Sequence, residues 1–237
     1  MNIFFISIQA TYSSASLSLF SNDVCLETVR IEDARASSHL IPHLEVLLKK
    51  HALCLIDLAF IAVDQGPGAF TSLRVSIATV NGIAFGQRVP LVGINGLDAL
   101  GYDMTGLNPN HETLCVSVLN AYNNDVYYAI YKFDDQGLIA VARGCKKIEL
   151  FLEELSTQTI GQQFVFAGNG AYLHKDMILT MLGDRVRFAE PILSTATSES
   201  IGVLAYSMYK KNAGTVFKIE PTYMKTQYFA IRNSTHQ

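Results

Sequence analysis

LAFIAVDQGPGAFTSLRVSIATVNGIAFG, Leu58 to Gly86, is the stretch whose pattern sets the fold class of this chain. Leu58 to Val63 is a continuous apolar run of strand length, and Gly66, Pro67 and Gly68 end it. From Phe70 the spacing becomes helical, with Leu73, Ile77, Val80 and Ala84 three or four residues apart. A strand passing through a glycine-rich turn into a helix start can aim backbone N–H groups at an anion. Gly66, Gly68 and Thr71 are therefore the candidate anion-binding turn. The alternative is that the two glycines only supply turn dihedrals.

Working outward, Met1 to Gln9 reads as a first strand. Ala15 to Phe20 alternates Leu17 and Leu19 with Ser16 and Ser18, a period of two. Ser21-Asn22-Asp23 turns the chain into a partner strand, Val24 to Ile31. Ser37 or Ser38 caps a helix running to about His51, with Pro42 near its first turn. After the opening stretch come a short strand, Leu91 to Ile94, and a short helix, Asn95 to Tyr102. Gly106 to Asn110, with Pro109, is the boundary between two halves. Beyond it the order restarts: strands at Leu114–Leu119, Val126–Phe133 and Leu138–Ala142, then a helix near Glu149–Leu155. Phe164 to Ala167 leads through Gly168-Asn169-Gly170 into a helix ending at Met181, and Ser198 to Lys210 is a last helix. Three meandering strands followed by helix and strand units thus occur once per half. That predicts two similar mixed α/β lobes, residues 1–107 and 108–237.

Composition narrows the function. Of 237 residues, 49% are hydrophobic and 16% charged, against roughly 25% charged in an ordinary soluble domain. The deficit predicts either an exposed apolar interface or strands buried on both faces. No run approaches the roughly 20 apolar residues of a membrane span. Ile3 to Ile8 has no basic segment before it and reads as a strand, not a signal peptide. Cys25, Cys54, Cys115 and Cys145 form no Cys-x-x-Cys pair, which disfavours a disulfide framework or zinc knuckle and fits a reduced cytoplasm. A net charge of −3 without a long Lys/Arg run argues against this chain alone gripping a nucleic-acid backbone.

DQGPGAFTSLRVSIATVNGIAFGQRVPLVGINGLDAL, Asp64 to Leu100, resembles the TsaB (YeaZ) family. Gly66, Pro67, Gly68, Phe70, Thr71, Leu73, Arg74, Ala78, Gly82 and Ala84 match the family pattern in order. Weaker similarity extends to His39-Leu40-x-Pro42, to Asp125-Val126-Tyr127 and to Pro221-x-Tyr223. The resemblance implies a two-lobed actin-like (ASKHA, RNase H-like) α/β fold with mixed sheets flanked by helices. It also implies a non-catalytic subunit of the assembly that forms threonylcarbamoyladenosine at position 37 of ANN-decoding tRNAs. The partners implied are the transferase TsaD and the ATPase TsaE, with tRNA met only through the complex and a homodimer formed in isolation. No cofactor or metal is expected.

Two departures from the family bear on the chemistry. Actin-like ATPases place an acid at the end of the first strand of each lobe, next to hydrated Mg2+ and phosphates. This chain has Ser7 and Asn120 there. Magnesium prefers carboxylate oxygens and its own waters, so a Mg-nucleotide hydrolase or kinase is disfavoured. His39 and His43 have the spacing of two metal ligands on a helix, but no Glu accompanies them as in H-E-x-x-H, and Pro42 disturbs the turn. Ser72 is not in a G-x-S-x-G elbow, so no serine triad is defended. Arg74 is placed to meet a phosphate, a partner carboxylate or a local acid such as Asp64.

Helical geometry divides the two leading helices into faces. Leu40, Leu44, Leu47 and Leu48 form one core stripe, and Leu73, Ile77, Val80 and Ala84 the other. His39, His43, Val46 and Lys50 share a second face of the first helix. Val75, Thr79, Gly82 and Gly86, with Ala78 beside them, share one on the second. Glycine inside a helix costs about 1 kcal/mol against alanine, and two on one side suit close approach of another helix. These positions, with Arg74, are the candidate partner or dimer interface, as the family resemblance also implies. The alternative is that the glycines face the first helix or the sheet of the same chain.

Overall fold

The computed structural model describes residues 2–12, 14–32, 36–107, 112–134, 137–158 and 161–225. The first strands are β1 (Phe4–Gln9), β2 (Ala15–Ser21) and β3 (Val24–Ile31). A 3-10 turn, Ala36–His39, leads into α1 (Leu40–Lys50), then come β4 (Leu58–Asp64), α2 (Phe70–Gln87), β5 (Leu91–Ile94) and α3 (Gly96–Asp103). The second half contains β6 (Thr113–Asn120), β7 (Asp125–Asp134), β8 (Gly137–Lys147), α4 (Ile148–Gln158) and β9 (Gln163–Ala167). It continues with α5 (Asn169–Leu173), α6 (Lys175–Leu182), β10 (Val186–Phe188), α7 (Ser198–Lys210) and β11 (Thr215–Val216).

The duplication read from the element order is present in the pairing. The first sheet runs β11-β5-β4-β1-β2-β3 and the second β10-β9-β6-β7-β8. Counted from its own leading strand, each has the order third, second, first, fourth, fifth. In each, the second strand is antiparallel to the first, and the fourth is parallel to it. This is the actin-like, RNase H-like α/β architecture expected from the resemblance.

The layers follow from where the apolar side chains point. One face of the first sheet buries Ile6, Ile8, Ile61 and Val63 against α1 and α2. The outer face of the second buries Val116, Val118, Phe164 and Phe166 with Phe151 and Leu152 of α4 and Ile178 of α6. Between the sheets lies a shared core that includes Phe5, Phe60, Val92, Leu100, Cys115, Tyr131 and Ile201. Helices α3 and α7 fill this space and exchange sheets: α3 lies on β6, β7 and β8, whereas α7, from the second half, lies on β1, β2, β4 and β5. Strand β11 likewise pairs with β5. The central strands are therefore covered on both faces, which accounts for their near-continuous apolar runs and for part of the charge deficit.

Several boundaries differ from the sequence reading for local reasons. The first helix starts at Leu40, after a 3-10 turn that contains Ser37 and Ser38, and its cap position is His39, whose side chain makes no capping hydrogen bond. Pro42 then falls in the first turn, where its missing N–H costs nothing. The single helix expected after Gly168 is two, broken at His174. The third strand of the second lobe extends to Lys147, because its outer half faces solvent and carries no apolar signature. Strands β10 and β11, of three and two residues, are too short to read as a period. The boundary Gly106 to Asn110 falls partly outside the described residues.

Candidate functional site

The turn after β4 is built around a buried acid. Asp64, 1% exposed, accepts hydrogen bonds from the Gly66 amide at 2.8 Å and from Thr11 Oγ1 at 3.1 Å. Thr11 Oγ1 in turn accepts from Gln9 Nε2 at 3.0 Å, and the Ala69 amide donates to the Thr11 carbonyl at 2.7 Å. Burial pushes the Asp64 carboxyl up to about 7, against its two hydrogen bonds, which pull it down. Gly66 has φ +99°, a conformation that favours glycine. A Cβ on Gly68 would lie 2.6 Å from Thr11 Cβ, so that glycine is needed for close packing of the two turns. The Gly66 amide is therefore already donated within the turn. Thr71 is exposed at the start of α2. Both glycines have sufficient reason in backbone geometry and packing.

Arg74 does not pair with Asp64. Its guanidinium stacks 3.7 Å from the centre of the Phe70 ring, and its Nε donates to Tyr223 Oη at 2.8 Å. Tyr223 belongs to a strap, residues 217–225, that lies along α2 and over the turn. Asn81 clamps the strap with reciprocal 2.9 Å hydrogen bonds to the backbone of Ile219. The Thr222 amide donates to the Gln65 carbonyl, and Gln65 Nε2 donates to Thr222 Oγ1. Lys225 reaches the other lobe, where its ammonium meets Asp125 Oδ2 at 2.5 Å and the Ala121 carbonyl at 3.1 Å. Burial acts to raise the Asp125 carboxyl, but hydrogen bonds from Lys225 and Lys147 outweigh it and hold the group below its ordinary value. The Pro-x-Tyr signal marked this segment in the sequence; its path across α2 was not legible.

The first strand ends at Gln9, not at Ser7: Gln9 pairs with Ser16 of β2 as Asn120, the last residue of β6, pairs with Val126 of β7, so the two equivalent strand ends are Gln9 and Asn120, and both are neutral. Ser7 is completely buried beneath α7 and donates to the Ser198 carbonyl at 2.6 Å. The Asn120 amide donates to Asn169 Oδ1 at 2.8 Å, and its own Oδ1 accepts from the Tyr122 amide at 2.8 Å. Tyr12 crosses between the lobes and donates to the Asn120 carbonyl at 2.9 Å. Burial raises the Tyr12 phenol well above its ordinary range, so it remains a donor. Sequence reasoning missed Tyr12, which belongs to no spaced motif, and offered Asp64 only as a local acid for Arg74, not as the buried acid that holds the turn.

The helix faces separate into two groups. Leu40, Leu44, Leu47 and Leu48 of α1, and Leu73, Ile77, Val80 and Ala84 of α2, are buried as the periodicity predicts. A groove of 620 Å3 lies between the helices, lined by Ile41, Leu44, Glu45, Leu48 and Leu53 with Ile83 of α2. The face carrying His39, His43, Val46 and Lys50 is on the far flank of α1. There Lys50 Nζ and His51 Nε2 bind Glu27 of β3 at 2.7 and 2.9 Å, and His43 Nδ1 lies 2.9 Å from the His39 carbonyl. The predicted α1 and α2 stripes are thus brought to opposite sides of the groove rather than into one continuous surface. On α2, Arg74, Ala78, Gly82 and Gly86 are exposed, Val75 and Thr79 half-buried, and Phe85 is 90% exposed beside them. Cβ atoms at Gly82 and Gly86 would meet nothing within 4 Å, so crowding within the chain does not explain either glycine. Among the described residues no three His, Cys, Asp or Glu side chains converge as a metal site. Among the described residues, no helix is long and apolar enough to cross a membrane.

Comparison with known proteins agrees with this architecture. The family model "TsaD: tRNA N6-adenosine threonylcarbamoyltransferase" matches residues 31–231. The tRNA threonylcarbamoyladenosine biosynthesis protein TsaB of Bacillus subtilis (strain 168) is 24% identical over 226 residues, 93% of each chain. Its counterpart in Escherichia coli (strain K12) is 23% identical over 133 residues, 56% of this chain and 57% of that protein, so the match spans little more than half of that relative. Among solved structures, an uncharacterized protein with similarity to peptidase YEAZ from Pseudomonas aeruginosa superposes with a TM-score of 0.76 at 17% identity. That superposition covers 94% of this chain and all of the other. The chain belongs to the family that the TsaD threonylcarbamoyltransferase model describes, and within it to the TsaB (YeaZ) group.

Proposed function

We propose that this protein takes part in threonylcarbamoyladenosine formation on tRNA, as a non-catalytic subunit that binds and holds a TsaD-type transferase. The observation that carries this reading is the state of the positions that would serve a nucleotide. Gln9 and Asn120, at the ends of the two leading strands, are neutral; Gln9 Nε2 donates to Thr11 Oγ1 and Asn120 Oδ1 accepts from the Tyr122 amide. Asp64, among the described residues the one fully buried carboxylate, has both oxygens occupied by Thr11 and Gly66. A hydrated magnesium ion finds no free carboxylate among these groups. By contrast, the outer surface of α2 offers Ala78, Gly82, Gly86 and Phe85 to solvent, beside the apolar groove along α1. Small residues flanked by an exposed ring suit the close approach of a partner helix.

In this reading the α2 stripe and the groove are the docking face, shared between the transferase and, in isolation, a second copy of the chain. His39, His43, Val46 and Lys50, on the far flank of α1, contribute at its edge. The TsaE-type ATPase and tRNA are met through the assembled complex, in the cytoplasm. The lobes 1–107 and 108–237 serve as one rigid support for the face. The test is co-purification of a tagged TsaD-type protein with the wild type and with Gly82→Arg. Retention by the wild type and loss by the variant is expected; equal retention would remove α2 from the interface.

A further inference from the structure

The pocket where the two lobes meet the strap has a chemistry that the scaffold role does not use. Phe70 and Leu73 from α2, Tyr122 and Tyr127 from the second lobe, and Tyr223 and Lys225 from the strap line a cavity of 160 Å3. Four of the nine residues that line it are aromatic. A cavity of about 150 Å3 holds one benzene ring, whereas drug-sized ligands need roughly 300 Å3 or more. One planar ring system fits inside, and anything attached to it must remain at the rim.

The rim is cationic. Arg74 stacks on Phe70 and binds Tyr223, and no carboxylate pairs with it among the described residues. Lys225 and Lys147 share the single carboxylate of Asp125. The local balance is positive on a chain whose formal charge is −3. Tyr122, 55% exposed, is held there by unusual backbone: Tyr122, Asn123 and Asn124 have φ of 59°, 55° and 59°. Asn adopts this conformation readily, so the cost, roughly 1–2 kcal/mol, falls on Tyr122, and strain of this kind collects at functional sites. Bonds from Lys147 Nζ to the Asn123 carbonyl and from the Ile148 amide to the Asn124 carbonyl hold the turn in place.

We propose that this pocket takes one nucleobase of single-stranded RNA, stacked among Phe70, Tyr122, Tyr127 and Tyr223, with its phosphate at Arg74 and Lys225. Aromatic rings beside isolated cations are the elements of a single-strand stacking platform. One base and one or two phosphates make a weak site, consistent with the absence of a long basic run. The site shares Arg74 with the candidate partner interface, whose other α2 residues, Ala78, Gly82 and Gly86, lie further along the helix.

The test is fluorescence anisotropy of a labelled hexa-adenylate titrated with the full chain at low salt, with adenosine monophosphate as a competitor. Tyr122→Gly removes the ring at a φ that glycine adopts freely, so the fold is not at risk. It is expected to weaken binding about fivefold or more. Arg74→Gln is expected to reduce the slope of log affinity against log salt by about 0.7. Gly82→Arg should leave RNA binding unchanged while abolishing partner co-purification, which separates failure of this site from failure of the scaffold reading. Absence of binding at several hundred micromolar chain, or full binding by Tyr122→Gly, would overturn the proposal. Competition by the mononucleotide at the hexamer's affinity would assign the pocket to free nucleotides and overturn the RNA assignment. Loss of the protein partner but not of RNA in Tyr122→Gly would make it a protein-docking pocket and overturn it equally.

Discussion

Replacing one glycine by alanine at two helical positions should change stability in opposite directions. Gly82 lies inside α2 on the solvent side, and an added Cβ has no neighbour within 4 Å. Only the backbone term remains, so Gly82→Ala should stabilise the monomer by about 1 kcal/mol. For a chain of this size that is a rise of about 2–4 °C in melting temperature. Gly202, inside α7, is the control. There a Cβ would lie 2.3 Å from a ring carbon of Phe20. Phe20 stacks on Phe5 at 4.8 Å between centroids, and Phe5 stacks on Phe60 at 4.4 Å, so the ring has little room to retreat. Overpacking of this kind costs roughly 1–3 kcal/mol, which offsets or exceeds the helix gain. Thermal and urea unfolding measure both variants, at low micromolar protein with sedimentation velocity to verify a monomer. The stabilised Gly82→Ala chain should nevertheless hold a TsaD-type partner less well, because the methyl group fills space the partner helix would occupy. A lower melting temperature for monomeric Gly82→Ala would refute the reasoning, since it would mean that this face is packed within the chain.

Four further outcomes are expected. The folded-state pKa of Asp64, about 7, lies above its ordinary 3.8, so the stability it contributes is complete below pH 4 and is lost as pH rises toward 7. Urea unfolding should show stability falling by about 1.4 kcal/mol per unit between pH 4.5 and 7 and levelling off above it, a fall absent in Asp64→Asn; parallel profiles would show that the carboxyl is not buried in this way. Asn81→Ala removes both hydrogen bonds to Ile219, at roughly 0.5–1.5 kcal/mol each, and should expose the bond after Lys218 to trypsin well before global unfolding. An unchanged digestion pattern would show that the strap is held by other contacts. Ser7→Asp should destabilise by roughly 2–5 kcal/mol because it buries a charge in mid-strand against the Ser198 carbonyl. Gln9→Asp, which puts an acid at the end of β1, should confer no magnesium-dependent nucleotide cleavage; cleavage by this variant would show that the cleft needs only that carboxylate to turn over.

Much of the fold was legible because the strands and long helices carry their own periods. Leu40, Leu44, Leu47 and Leu48 announce α1, and the change from Leu58–Val63 to the Leu73–Ala84 spacing marks β4 and α2. The site was less legible. The stripes of α1 and α2 are each correct as faces of a helix, but a helical wheel carries no information about the angle at which two helices lie on a sheet. Lys50 turned out to face Glu27 of β3, and Ile41 and Ile83 line the groove between the helices. The partners of Asp64, Tyr12 and the strap were invisible for a related reason: they are 53, 108 and up to 157 residues away in sequence.

Local pattern alone determined the lobes' repeated order, the core stripes and the neutrality of positions 7 and 120, because period, turn chemistry and charge are properties of neighbouring residues. Tertiary structure decided that α3 and α7 exchange sheets, that Ser7 is sealed beneath α7, and that the glycines of α2 face open solvent. It also decided that a tail segment closes an aromatic pocket over the β4–α2 turn. Each of these depends on which surfaces are buried together when the whole chain folds, and that is a global property no short window of residues contains.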